Sequence, residues 1–152
     1  MTPEDIILIP SVKEWARSHS SFFFSDGIVT ATGLVKQLRE GAAALGARTI
    51  ETSGVEGWSI VASSEDWFAN ARLPLPETFV FENLTPFPEL GQNCVRPEAV
   101  MAMFAENIVV ASSSSSPIVH GAVSPYDAIY KVLQGKRTWS RLVAFRGVGA
   151  EA

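Results

Sequence analysis

One cysteine in 152 residues, Cys94, excludes an internal disulfide framework and a metal site built on several thiolates. Histidine is almost as scarce. His19 and His120 are the only two, and neither an HxH nor an HExxH spacing occurs, so the pattern of a catalytic zinc site is missing. Long apolar runs are also absent. Residues 6–9 and 107–111 fall far short of the roughly 18 needed to cross a bilayer, and no membrane association is expected. The first residues carry Glu4 and Asp5 and no basic stretch, which does not read as a secretory signal. A cytoplasmic protein is the resulting expectation. No GxGxxG, P-loop, GxSxG or CxxC is present, and Gly147-Val148-Gly149 has no following helix to make it a phosphate loop. No cofactor is expected.

What the chain does have is apolar content. With 47% hydrophobic and 18% charged residues it is too apolar for disorder. Its length suits one domain, 1–152, able to bury about two-thirds of the surface of the unfolded chain.

The net charge of −4 is unevenly placed. Residues 1–49 hold five acids and five bases. Residues 50–110 hold nine acids against Arg72 and Arg96, leaving −7, and residues 111–152 carry +3. An acidic middle argues against nucleic acid, because neutralising phosphates requires a basic face. It suits a basic protein partner reached by electrostatic steering, or it is simply a solvated surface.

Periodicity and capping residues outline the elements. Thr2 with Asp5 and Ser11 with Glu14 read as capping boxes, the second opening a short helix through Trp15 and Arg17. Leu34, Leu38, Ala42 and Leu45 recur at helical spacing over about 30–45, and Gly46 is a natural stop. Strands 48–52 and 58–62 flank a turn at Ser53–Gly57, and Ser63 to Asp66 caps a short helix bearing Trp67 and Phe68. A strand is expected around Phe79. Pro97 suits the first turn of a helix to about Glu106, and residues 108–110, apolar on both faces, read as a central strand. The run Ser112–Ser116 reads as a mobile loop. Ser124-Pro125-Tyr126-Asp127 opens a helix to about Leu133, and residues 138–145 form the last strand. Helices and strands in this mixed order predict an α+β domain, with one mixed or antiparallel sheet packed by about four to five short helices. Phe22, Phe23 and Phe24 cannot all point one way. Burial is expected for them, and an exposed one marks an interface or a pocket mouth.

The candidate chemistry sits in and around the connector from Leu73 to Glu98, which holds five of the nine prolines. Its stretch 83–96 is long for a routine connection, a length that goes with function or disorder. Asn93, Cys94, Arg96 and Glu98 gather at a helix entrance, where amide groups and the dipole favour anions and lower a thiol pKa. Cys94 is therefore a candidate nucleophile and Arg96 an anion clamp, with His120 a base partner if the fold brings it close. The plainer reading has Cys94 as a small buried apolar residue, Asn93 and Arg96 satisfying connector backbone, and His120 a core or loop histidine. Asp66 is explained as the acid of a capping box, leaving Glu65 and Trp67 as surface contacts.

Two functions follow. One is a non-catalytic binding protein, immunity-protein or chaperone-like by analogy of size and charge. It engages a basic partner through Glu56, Glu65, Trp67, Glu77 and Glu89. The other is a small enzyme or small-molecule-binding domain, its pocket lined by Trp58, Trp67 and Phe87, with Asn93, Cys94, Arg96 and His120 as polar groups.

Overall fold

Thr30 begins the clearest element of the fold. Its hydroxyl accepts from the Gly33 N–H at 3.0 Å and caps α2, Ala31–Ala44, whose Leu34, Leu38 and Ala42 are fully buried. The structure is a computed structural model that describes residues 12–24, 26–71, 87–89, 91, 94–135 and 138–148. The expected cap at Thr2, the cap at Ser11 and the strand around Phe79 lie outside the described residues, as do Glu77 and Asn93.

Among the described residues, four α-helices and five strands make an α+β domain. The helices are α1 (Val12–Ser18), α2, α3 (Pro97–Phe104) and α4 (Ala128–Gln134). The strands are β1 (Ile50–Val55), β2 (Trp58–Ser63), β3 (Ala105–Ser112), β4 (Ser115–His120) and β5 (Arg141–Val148). They form one antiparallel sheet in the order β1-β2-β5-β3-β4. Strand β3 runs between β5 and β4, so residues 108–110 are buried on both faces.

Alternation along the strands divides the core in two. Val61, Ile108, Val110, Val143 and Phe145 face α1, α2 and α3. Trp58, Ile60, Val109, Leu142 and Ala144 face the opposite way, onto Ile129 and Leu133 of α4. Each large side chain so enclosed contributes about 1.5–3 kcal/mol relative to exposure.

Several sequence expectations are corrected by local chemistry. The β1–β2 turn is two residues rather than five. Val55 pairs with Trp58, and Glu56 and Gly57 both take positive φ, 43° and 86°, the backbone of a type I′ hairpin. The serine run is not a loop. Ser112 ends β3, Ser113 and Ser114 turn, and Ser115 begins β4. Asp127, not Ser124, caps α4, accepting from the Ile129 N–H at 3.1 Å, so the helix starts three residues later than expected. Likewise Asp66 itself caps a 3₁₀ turn at Trp67–Asn70, accepting from the Phe68 N–H.

Candidate functional site

The ionisable side chains divide into those consumed inside the fold and those left outside. Arg96 precedes α3 and makes no cap there. Its guanidinium turns inward, and Nε donates to Glu98 Oε2 at 3.0 Å, with both side chains almost fully buried. Trp67 Nε1 donates to the other carboxylate oxygen at 2.9 Å. Arg96 also lies over the rings of Phe68 and Phe87, 5.2 and 5.4 Å from their centroids. One expected role falls here. Trp67 is fully enclosed and offers no surface to a partner. Arg96 pairs with Glu98, while most of the connector backbone lies outside the described residues.

A second pair stands nearby. Arg141 grips Asp66 with two bonds, Nε to Oδ1 at 2.9 Å and Nη2 to Oδ2 at 3.0 Å, and its guanidinium also lies over Phe68, 4.1 Å from the centroid. Planar bidentate pairing and ring stacking are what arginine supplies and lysine does not. A third group sits on the other face of the sheet. Asp127 accepts from Trp58 Nε1 at 2.8 Å and from Arg146 Nη1 at 2.7 Å, while Arg146 covers the Trp58 ring at 4.5 Å. The Ile129 N–H does most to hold the Asp127 carboxyl below its ordinary value of 3.8; burial opposes it, and Arg146 and Trp58 add to the lowering.

The expected aromatic pocket is not assembled. Trp58 belongs to the α4 side of the sheet, whereas Phe87 and Trp67 belong to the other. Cys94 does line a groove of about 240 Å³ with Phe22, Phe23, Gln37 and Glu40, but neither Arg96 nor His120 contributes to it. His120 ends the edge strand β4, half-buried, opposite Ile108. Phe22 is 62% exposed and stands at the mouth of the Cys94 groove, so the phenylalanine run is not wholly buried.

Of the candidate acids, Glu56 is exposed at the hairpin tip, and Glu65 is half-buried with Oε1 accepting the Arg48 N–H at 2.6 Å. Glu89 is half-buried, and its Oε1 is enclosed without a hydrogen-bond partner among the described residues. Glu51, on the edge strand β1, is exposed together with Thr52, Ser53 and Gly54.

A larger cleft, about 480 Å³, opens at the end of the sheet, lined from α1, the start of β3 and the end of β5. Arg17 and Glu106 stand on its walls, and Ile28, Val29, Phe104 and Val148 provide apolar surface. Sequence reading missed it. Its residues come from four separate segments, none carrying a motif, and only the folded chain places them together.

Comparison with known proteins finds no matching family model, and neither a curated protein nor a solved structure matches the chain. Among the described residues no helix is long and apolar enough to cross a membrane.

Proposed function

We propose that this chain is a non-catalytic cytoplasmic binding protein, which engages a basic protein partner through the acidic β1–β2 hairpin and its open edge. One observation carries the reading. Asp66, Glu98 and Asp127 are engaged by arginines inside the fold, whereas Glu51 and Glu56 project from one hairpin with no ion pair among the described residues. The alternative, an enzyme or small-molecule site around Asn93, Cys94, Arg96 and His120, has less behind it. Arg96 is tied to Glu98, and the Cys94 groove lacks His120. Glu51 therefore replaces Trp67 as a partner-facing residue, beside Glu56, Glu65, Glu77 and Glu89.

Affinity capture from the native host, followed by association kinetics of the captured protein, tests the proposal. Glu51→Lys and Glu56→Lys are expected to slow association about tenfold at low salt. The difference from wild type should shrink as ionic strength rises, and thermal stability should stay within about 0.5 kcal/mol. A partner whose association rate ignores both reversals and salt removes the electrostatic reading.

A further inference from the structure

The cleft at the end of the sheet holds two opposite charges that do not answer each other. Arg17 is fixed from α1 by its Nε, which donates to the Met103 carbonyl at 3.0 Å. Its terminal nitrogens have no hydrogen bond or ion pair among the described residues, and the same is true of the Glu106 carboxylate. Unpaired charges on an open surface are ordinary. Both residues are exposed, yet both line one cavity of about 480 Å³ whose remaining surface is largely apolar, within the usual size of a small-molecule site.

The walls are built rather than incidental. Pairing of Ala105 with Val148 and of Asn107 with Arg146 sets Glu106 opposite Gly147. Gly147 has φ +81°, and a Cβ there would stand 2.8 Å from Glu106 Cβ, so glycine at this position lets the Glu106 stem lie close against β5. Elsewhere in the lining Ser20 Oγ donates to the Gly27 carbonyl at 2.6 Å, just before Ile28 and Val29. Ile28 is 59% exposed for a residue of its size, an apolar surface bordering the cleft.

A guanidinium binds a carboxylate, a carboxylate binds an ammonium group, and apolar walls take an aliphatic body. We infer that this cleft binds a small zwitterion with an apolar body, an aliphatic amino acid or short peptide, its carboxylate on Arg17 and its ammonium on Glu106. This site is separate from the acidic hairpin, and its test does not depend on any protein partner.

The probes are leucine and leucyl-leucine with free termini, each compared with its N-acetyl and C-amide forms. Binding is read by ¹H–¹⁵N shifts of the full chain and by calorimetry. One free probe is expected to give saturable shifts at Gly27, Glu106 and Gly147, with either cap weakening binding about fivefold or more. Glu106→Gln should abolish the effect of acetylation but not of amidation. Arg17→Gln should do the reverse, and Arg17→Lys should restore part of the lost discrimination. Because discrimination between capped and free probes is the readout, a small loss of stability in the Arg17 variants does not mimic the result. Absence of saturable shifts with both free probes overturns the proposal. So does equal binding of capped and free forms, or a shift pattern centred elsewhere.

Discussion

Arg96 and Glu98, two residues apart, form an ion pair almost wholly removed from solvent, with the Trp67 indole N–H as its third member. Such a pair is weak evidence of net stability, because desolvating two charges costs about what their attraction returns. Removing one partner is different. Glu98→Ala leaves a buried guanidinium and a buried N–H unanswered and is expected to cost about 3–5 kcal/mol, read as a lower urea midpoint. Glu98→Gln keeps an acceptor for Trp67 and should fall between that variant and wild type. A wild-type midpoint for Glu98→Ala is the result that contradicts this assignment.

Gly41 sits inside α2, where alanine in place of glycine ordinarily gains about 0.8–1.0 kcal/mol. A Cβ at Gly41, however, would stand 2.8 Å from Pro97 Cγ and 3.2 Å from Phe87 Cε2. Pro97 is fixed by its ring at the first turn of α3, and Phe87 is fully buried, so neither yields cheaply. Overpacking of this kind costs about 1–3 kcal/mol and outweighs the propensity gain. Gly41→Ala is expected to destabilise by about 1 kcal/mol in urea denaturation, and a gain in stability would show that the α2–α3 contact is looser than described.

The depressed Asp127 pKa makes a signed claim about acid. A carboxyl whose folded value lies below its unfolded value of 3.8 adds stability above that pH and loses it as pH falls through the folded value. Asp127→Asn should therefore be least stable relative to wild type near neutrality. The gap should narrow once pH drops below about 3.8, as the wild-type carboxyl protonates. Urea midpoints of both proteins across that range check it, and a gap that does not change with pH assigns the effect to something other than ionisation.

Part of this architecture is legible along the chain because it depends on neighbours. Leu34, Leu38 and Ala42 announce α2, Pro97 announces the start of α3, and the doubly apolar 108–110 announces an interior strand. At two places local signals compete and the sheet chooses between them. At 53–57 two glycines offered two turn positions, and pairing of Val55 with Trp58 selected the tighter one. Among the serines at 112–116, pairing with β3 drew in residues whose composition suggested a loop.

The sequence by itself determined the fold class, the helix at 30–45, the hairpin after it and the acidic bias of the middle third. Those properties rest on spacing and composition, which act over a few residues. Only the tertiary structure decided which charges remain available. Arg141 reaches Asp66 across 75 positions, and Trp58 reaches Asp127 across 69. Trp67 withdraws into the core against Glu98, and Arg17 and Glu106 come to line one cleft. Antiparallel pairing of strands distant in sequence sets these encounters, and no local pattern records which strand ends will lie side by side.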